Sequence, residues 1–392
     1  MGESDTIHKG AFRIKDWWSK AALLMGMIYL FAARYHISFE KFIPLSILSL
    51  ITISGFASMG YLFNDLFDIE KDAIAGKRNF LAGKPVLAIT LLFLASAVFV
   101  LAPWGFLPKT KFSFALIGMQ ILLFILYSAP PIRLKERGIA GIITDSLYAH
   151  GLPTFLAAYT FALAANYIFP TADIAVLFTW QITTGIRNII LHQADDLDAD
   201  KKSGSKNFVA GLSISGFHAL FKWITAIELL LVLSFFTILV AGNLLFGLCL
   251  LVIVFLTVMD FSVFTETDTH RFLNSKWKFF PNNIYEKWLP VAYLALLSIG
   301  DWRFAVLLVI HVALFNFDFY VQVFDRIYGR WKSIPVRGYF ITIRIFLSFP
   351  INYFIYYLLR IFTIDLKKEN ISAWGYLKRL LGGKQPTSKP GK

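Results

Sequence analysis

The sequence predicts an all-α, polytopic membrane protein, and its composition and its apolar runs support that prediction. Of its 392 residues, 57% are hydrophobic and only 16% are charged, whereas soluble domains carry roughly a quarter charged residues. Long apolar runs recur along the chain, for example at residues 21–33, 45–63 and 244–258. A soluble domain is therefore excluded, and we predict a bundle of about nine to eleven transmembrane helices.

The apolar runs divide the chain into three regions. Judged against a hydrocarbon core about 30 Å thick, the predicted spans are residues 21–35, 42–63, 86–106, 112–127, 139–163, 175–191, 214–240, 244–264, 288–299, 304–323 and 339–362. We expect a cytoplasmic N-terminal tail at residues 1–20 and the transmembrane bundle at residues 21–324. The remainder, residues 325–392, is predicted to be a basic C-terminal extension with one hydrophobic segment and a disordered tail.

The distribution of basic residues predicts the orientation of the bundle. The formal net charge is +13, but the basic residues lie in short loops between spans, which argues against nucleic acid as a partner and favours anionic membrane lipid. They cluster in the N-terminal tail and after the second, fourth, sixth and eighth predicted spans. By the positive-inside rule these loops are cytoplasmic. We expect an integral protein of a bacterial cytoplasmic membrane, with these loops facing the cytoplasm.

The first chemically informative stretch is residues 64–72, Asn-Asp-Leu-Phe-Asp-Ile-Glu-Lys-Asp, directly after the second predicted span. On a helix that turns about 100° per residue, one face carries four oxygen-bearing side chains: Asn64, Asp65, Asp68 and Asp72. Like charges so close repel one another near a membrane, so a cation must lie there. Hard oxygen ligands in this number favour Mg²⁺ and a phosphorylated substrate. The alternative is pairing with the neighbouring basic side chains Lys71, Lys77 and Arg78.

A second acidic stretch follows the sixth predicted span, where residues 192–200 read His-Gln-Ala-Asp-Asp-Leu-Asp-Ala-Asp. Asp196 and Asp200 are four residues apart and share a helix face with His192. The charge pattern puts both acidic stretches on the same side of the membrane. Two facing carboxylate clusters can hold two or more Mg²⁺ ions around a diphosphate. The sequence therefore predicts a metal site formed by Asp65, Asp68, Asp72, Asp196 and Asp200.

Together the two motifs resemble the UbiA superfamily of intramembrane prenyltransferases. The chain carries Asn-Asp-x-x-Asp-x-x-x-Asp at residues 64–72 and Asp-x-x-x-Asp-x-x-x-Gly at residues 196–204. Residues 127–135, Tyr-Ser-Ala-Pro-Pro-Ile-Arg-Leu-Lys, are similar to another segment of that superfamily, and residues 77–84 stand where its members often have an Arg-Pro-Leu-like stretch. The resemblance covers about residues 15–264, or as far as residue 323.

The resemblance implies a helical bundle around a central cavity that opens to lipid. It implies Mg²⁺-dependent transfer of a polyprenyl group from a polyprenyl diphosphate to a small-molecule acceptor. The Mg²⁺ ions would be held by the five aspartates of the two motifs. The candidate substrate-binding residues are Asn64, Arg78, Tyr127, Arg133, Lys135, Asp145, His192 and Lys206.

Several of these residues also have a structural interpretation. Asn64 either orients a metal-bound group or caps a helix. Arg133 and Lys135 either reach the diphosphate or anchor their loop at the membrane surface. Asp145 lies inside the fifth predicted span, where a buried carboxylate is a functional hypothesis by default, while Glu228 in the seventh span could as easily face a lipid interface.

The chain departs from the superfamily pattern at two positions. Asn79 replaces the usual Pro after Arg78, which leaves the backbone shape of that loop open. Asn207 stands where Ser or Thr commonly follows the second motif, so a hydroxyl contact would be missing.

Two other classes of membrane protein fit the sequence less well. A phospholipid synthase of the CDP-alcohol phosphotransferase type needs Asp-Gly and Ala-Arg within one acidic motif, and residues 65–72 lack both. A transporter would place its carboxylates near the middle of the bilayer and would show repeat symmetry. Among prenyl acceptors, an aromatic quinone precursor is the first choice, followed by a chlorin or haem, a glycerophosphate lipid, or a phosphorylated sugar.

Overall fold

A computed structural model describes residues 14–77, 79–168, 171–197, 200, 204, 207–240, 244–264, 280–316 and 319–320. The predictions made for Arg78, Lys206 and residues 325–392 lie outside these residues. Within them the chain is helical and forms no β-strand, as predicted. The longer helices are α1 Ile14–Arg34, α2 Phe39–Ile74, α3 Val86–Leu101, α4 Lys111–Ser128, α5 Ile139–Ser146, α6 Leu152–Ala164, α7 Thr171–Asp195, α8 Ile214–Val240, α9 Leu244–Phe264, α10 Leu289–Gly300 and α11 Arg303–Leu314.

Four of the described helices are long and apolar enough to cross a membrane: Phe39–Ile74, Val86–Gly105, Lys111–Ser128 and Ser215–Ile238. Many of their large apolar side chains are exposed, and on α3 Val86 is 80% and Leu87 is 70% exposed. Such a surface is stable against lipid and unstable against water. The chain is therefore an integral membrane protein. The predicted number of nine to eleven spans stays a prediction.

The helices form a closed circuit of contacts. Along this circuit α1 packs on α2, α2 on α4, α4 on α5 and α6, α5 on α7, α7 on α8, α8 on α9, α9 on α10, and α10 back on α1. Helix α1 is the most thoroughly covered, because Met27, Ile28 and Ala32 are fully buried. In this circuit α2, which carries the first acidic motif, packs on α4, and α7, which ends at the second motif, packs on α5.

Helix α2 continues well beyond its apolar part. With 36 residues and a rise of about 1.5 Å per residue, it is about 54 Å long and exceeds the hydrocarbon core by more than 20 Å. It ends in a Schellman motif, in which Lys77 N–H donates to Asp72 O and Gly76 N–H donates to Ala73 O. Gly76 has a φ of 69°, which glycine adopts at little cost. The first acidic motif therefore lies on the last turns of one rigid helix.

The fifth predicted span, residues 139–163, is not one regular helix. A π-helical turn, Leu147–Gly151, separates α5 from α6. A second π turn, Ile284–Trp288, precedes α10. In both cases a proline follows two residues later, Pro153 and Pro290. Because proline cannot donate the helical hydrogen bond to the preceding turn, the backbone there widens.

The expectation that Glu228 could face a lipid interface is wrong. Glu228 on α8 and Arg187 on α7 are both fully buried and form an ion pair, with Arg187 Nε 2.5 Å from Glu228 Oε2. Thr184 Oγ1 donates to Glu228 Oε1 at 2.9 Å, and Arg187 Nη2 donates to Asn282 Oδ1 at 2.6 Å. Each charge thus has a counter-charge and further hydrogen bonds, which is the condition under which a buried pair is tolerated.

Breaking this pair from one side should be costly. We expect Glu228→Leu to lower the free energy of unfolding by about 3 to 5 kcal/mol, because it leaves the Arg187 charge unpaired inside the bundle. The double variant Arg187→Met with Glu228→Leu should recover most of that loss. Thermal unfolding of the purified protein in detergent measures both. Equal losses in the single and the double variant would contradict the coupling.

Candidate active site

The two acidic motifs lie at the same end of the bundle. Lys77, directly after α2, forms an ion pair with Asp196, directly after α7, with Lys77 Nζ 3.1 Å from Asp196 Oδ2. Both partners are roughly one third exposed, so the pair contributes little stability by itself. Its value is geometric: a direct contact joins the loop behind the first motif to the second motif.

Asp68 is the best-compensated carboxylate of the first motif. Arg133 Nη2 lies 2.5 Å from Asp68 Oδ1, and Lys135 Nζ lies 2.5 Å from Asp68 Oδ2. Both cations come from the α4–α5 connection, and all three side chains are at most about one fifth exposed. Each oxygen of Asp68 therefore receives one charged donor, so Arg133 and Lys135 do more here than anchor a loop at the membrane surface.

Asp65 and Asp72 are joined by Asn79. The Asn79 amide donates to Asp72 Oδ2 at 2.8 Å and to the backbone oxygen of Asp65 at 2.7 Å. Asp65 is buried with 6% exposure, whereas Asp68 and Asp72 are half-buried. The three aspartates of the first motif thus share one end of α2 but have different partners.

Asn64 is not a helix cap, because it lies in the interior of α2. Its side-chain oxygen Oδ1 accepts from Ser128 Oγ at 2.8 Å and from Lys135 Nζ at 3.2 Å. Ser128 is the last residue of α4. Asn64 therefore ties α2 to α4 and holds Lys135 beside Asp68.

The turn that carries Arg133 and Lys135 is held in a costly backbone conformation. Arg133 has a φ of 41°, a left-handed conformation that costs a non-glycine residue about 1 to 2 kcal/mol. Arg133 Nη1 donates to the backbone oxygen of Phe67 at 3.0 Å, and Arg133 Nε donates to Glu136 Oε1 at 2.6 Å. Glu136 also pairs with Lys71. These contacts fix the turn against the end of α2.

The charges of this turn are set by burial and by their partners. Burial of Arg133 acts against its charge, but Glu136 and Asp68 outweigh burial and raise the pKa of the guanidinium. Burial lowers the pKa of the Lys135 amine below its usual value, although Asp68 opposes that effect. Burial also opposes ionisation of Glu136, yet Lys71 and Arg133 lower its pKa. Lys135 therefore holds its proton less firmly than an exposed lysine.

Close packing brings this turn against α5. A Cβ atom added at Gly141 would lie 2.7 Å from Leu134 O and 2.9 Å from Lys135 Cα. No side chain larger than hydrogen fits at that distance. Gly141 thus allows α5 to support the turn directly.

The aspartates of the second motif also have side-chain partners close by in the sequence. Asn207 Nδ2 donates to Asp200 Oδ2 at 2.7 Å. His192 Nε2 lies 3.8 Å from Asp196 Oδ2, so the predicted neighbourhood of these residues is present, but the His192 side chain is 70% exposed. Asp196 and Asp200 are half-buried.

A cluster of aromatic side chains lies next to the first motif. The ring centroids of Tyr127 and Tyr148 are 5.2 Å apart, and those of Phe124 and Tyr148 are 4.8 Å apart. Tyr148 OH donates to Asp145 Oδ1 at 2.5 Å, so Tyr148 is the near partner of the predicted residue Asp145. Tyr127 directly precedes Ser128, whose hydroxyl donates to Asn64 of the first motif.

The sequence did not indicate several residues that complete the site: Ser128, Glu136 and Tyr148. Tyr148 lies three residues after Asp145, in the π-helical turn that follows α5, a spacing that could have identified the pair. Glu136 likewise lies three residues after its partner Arg133 in the same turn, whereas its other partner, Lys71, lies on α2. Within the described part of the chain, no three acidic, histidine or cysteine side chains come close enough together to hold one metal ion.

These features define a class of protein: a helical membrane protein with two acidic motifs, basic side chains and an aromatic cluster at one end of its bundle. Residues 21–284, well over half of the chain, match the sequence profile of the UbiA prenyltransferase family. The chain belongs to that family, which confirms the family predicted from the motifs.

Similar proteins include one from Sulfolobus acidocaldarius and one from Archaeoglobus fulgidus. Digeranylgeranylglyceryl phosphate synthase of Sulfolobus acidocaldarius is 30% identical over 174 residues, which are 42% of this chain and 56% of that protein. A UbiA homolog from Archaeoglobus fulgidus, solved with DMAPP and Mg²⁺, is 17% identical with a TM-score of 0.44 over 72% of this chain and 98% of that one. The same homolog solved with GPP and Mg²⁺ is 18% identical with a TM-score of 0.46, over 71% and 98%.

Adding one methyl group at Gly141 should disturb the basic turn. We expect Gly141→Ala to lower the free energy of unfolding by about 1 to 3 kcal/mol, because the new Cβ overlaps backbone atoms of the turn. It should also speed trypsin cleavage after Arg133 and Lys135. Gly118→Ala on α4 is the matched control, since nothing lies within 4 Å of a Cβ there. Equal cleavage rates in both variants would contradict the packing argument.

Proposed function

We propose that this protein transfers a polyprenyl group from a polyprenyl diphosphate to a small-molecule acceptor in the membrane, in a Mg²⁺-dependent reaction. The observation that carries the proposal is the meeting of both family motifs at one end of the bundle, where Lys77 contacts Asp196. A transporter is disfavoured because these carboxylates lie at helix ends and not along the middle of the spans.

The donor chemistry of the two motifs fits Mg²⁺. This ion usually binds through one or two carboxylates and completes its octahedron with water and phosphate oxygens. Two motifs that each offer carboxylates suit that preference better than one cluster of three would. We propose that the ligands come from Asp65, Asp68 and Asp72 on one side and from Asp196 and Asp200 on the other. When bound, Mg²⁺ would neutralise the diphosphate as the allylic C–O bond breaks.

The basic turn supplies cations for the diphosphate. Arg133 and Lys135 now compensate Asp68, and a diphosphate with its metal ions would offer both a stronger counter-charge. We propose that the planar guanidinium of Arg133 then donates two hydrogen bonds to phosphate oxygens. The Lys135 ammonium would add a second positive charge beside the diphosphate. Arg78 and Lys206 are proposed phosphate ligands from the sequence, and Asn64 keeps Lys135 in place.

The aromatic cluster is suited to the reacting carbon. Departure of diphosphate leaves positive charge on the allylic group, and the ring faces of Tyr127, Tyr148 and Phe124 attract such charge. Because these rings are close to Asp145 through Tyr148, Asp145 is the proposed group that orients or deprotonates the acceptor. His192, which is exposed, has the weaker role of supporting Asp196.

We propose that the isoprenoid tail lies along α2. A small cavity farther down this helix is lined mainly by apolar side chains, among them Leu24, Phe56, Trp104 and Leu156. Phe56 precedes Asn64 by eight residues, so the near edge of this cavity is about 12 Å from the polar end of the site. A prenyl chain with its diphosphate at the motifs would extend in that direction.

Two acceptors are proposed. An aromatic quinone precursor is the first choice within the superfamily. The relative from Sulfolobus acidocaldarius is a digeranylgeranylglyceryl phosphate synthase, which makes a glycerophosphate lipid the second candidate. We also propose that the site faces the cytoplasm, because the basic loops lie at the same end of the bundle.

Loss of one motif carboxylate should abolish transfer. We expect Asp65→Ala and Asp196→Ala to reduce Mg²⁺-dependent transfer of a radiolabelled prenyl chain by at least about 100-fold, because each removes charge that stabilises the departing diphosphate. The matched controls are Glu70→Ala and Asp195→Ala, which change exposed acids in the same stretches. Size-exclusion profiles test that every variant stays folded. Wild-type activity in excess chelator would contradict the metal role.

The acceptor is identified by product mass. Purified wild-type protein is incubated with geranylgeranyl diphosphate or a longer homologue and with a panel of aromatic quinone precursors and glycerophosphates. We expect one acceptor to gain the mass of the prenyl group with release of diphosphate. Absence of any prenylated product across both acceptor classes would argue against prenyl transfer.

A further inference from the structure

Two asparagines occupy matching positions behind the two acidic motifs. Asn79 lies seven residues after Asp72, and Asn207 lies seven residues after Asp200. Each donates its side-chain amide to Oδ2 of that aspartate, at 2.8 Å and 2.7 Å. The same spacing and the same type of amide-to-carboxylate contact therefore recur behind two motifs that are far apart in the chain.

The oxygen end of each carboxamide is engaged as well. Asn79 Oδ1 accepts from the backbone N–H of Leu81 at 2.9 Å, and Asn207 Oδ1 accepts from the backbone N–H of Ala210 at 2.7 Å. Each asparagine thus bridges the last carboxylate of a motif and the backbone of the loop that follows it. A carboxamide can do this because it is both a donor and an acceptor at a fixed distance.

These bridges occur at the two positions where the chain departs from the superfamily pattern. A proline in place of Asn79 has no side-chain donor, so it cannot contact Asp72 by a hydrogen bond. A serine or threonine in place of Asn207 has a single hydroxyl, which is shorter than a carboxamide. At position 207, the amide contact from Asn207 to Asp200 thus takes the place of the hydroxyl contact that a serine or threonine would make.

We propose that Asn79 and Asn207 are a matched pair of positioning residues, which orient Asp72 and Asp200 for binding a divalent cation. An ionised carboxylate has about four acceptor positions, so one amide bond fixes its rotamer and leaves capacity for a metal. A carboxylate that is already oriented loses less conformational freedom when the ion binds. The inference rests on the proposed function for the identity of its ligand.

The test measures cation binding to the full-length purified protein. The probe is Mn²⁺ with inorganic pyrophosphate, and free Mn²⁺ is followed by its electron paramagnetic resonance signal. We expect Asn79→Ala and Asn207→Ala each to weaken Mn²⁺ binding by about tenfold, the usual lower bound for losing a group that orients a metal ligand. Asn207→Ser should bind within about threefold of wild type, because its hydroxyl can donate to Asp200.

The matched control is Asn166→Gly. Asn166 is exposed, has a φ of 54° and precedes α7, so it lies at the opposite end of the bundle from the second motif. Glycine accepts that backbone conformation, and Mn²⁺ binding should be unchanged. Thermal unfolding of all variants separates a folding role from a positioning role.

A second readout needs no metal. In the metal-free protein, hydrogen exchange at the Leu81 amide should accelerate in Asn79→Ala, and exchange at the Ala210 amide should accelerate in Asn207→Ala. Alanine variants that bind Mn²⁺ within about twofold of wild type would overturn the proposal, whatever their thermal stability. Wild-type protein that binds Mn²⁺ but forms no prenylated product would refute the proposed activity and leave the positioning role standing.

Discussion

Compensation of the Asp68 charge at the edge of the bilayer is the constraint on which the rest of the site depends. Helix α2 carries this carboxylate beyond its apolar part, where solvation is poor and an unpaired charge is costly. Arg133 and Lys135 meet both of its oxygens. Their turn can reach Asp68 only because Arg133 accepts a left-handed backbone and Gly141 lets α5 approach. The position of the α4–α5 connection thus follows from one electrostatic requirement.

The two halves of the site are built by similar means from unrelated parts of the chain. In each half a long helix ends in aspartates, and an asparagine seven residues later bonds the last of them. Lys77 and Asp196 join the halves directly. The fully buried pair Arg187 and Glu228 holds α7 against α8. Ion pairs therefore connect helices both at the end of the bundle that carries the motifs and in its interior.

Helical periodicity and hydropathy predicted correctly the features that depend on a single helix. The shared face of Asn64, Asp65, Asp68 and Asp72 depends only on helical geometry, and the all-helical class depends only on apolar runs that must satisfy their own backbone in lipid. The sequence was a weaker guide to features that depend on how far a helix extends or on contact with a second helix. Glu228 looked like an interfacial carboxylate because its partner Arg187 is on another helix. Asn64 could be read as a cap because nothing in the sequence states how far α2 continues.

The sequence by itself determined the fold class, the family and the identity of the two acidic motifs, because each depends on residue types and on spacing along the chain. Tertiary structure decided which cation meets which carboxylate, since Lys71 turned to Glu136 and Lys77 to Asp196. It also decided that Asn79 and Asn207 replace the proline and hydroxyl of the superfamily with amide contacts. Such choices depend on distances between elements that are remote in sequence, and local periodicity carries no information about those distances.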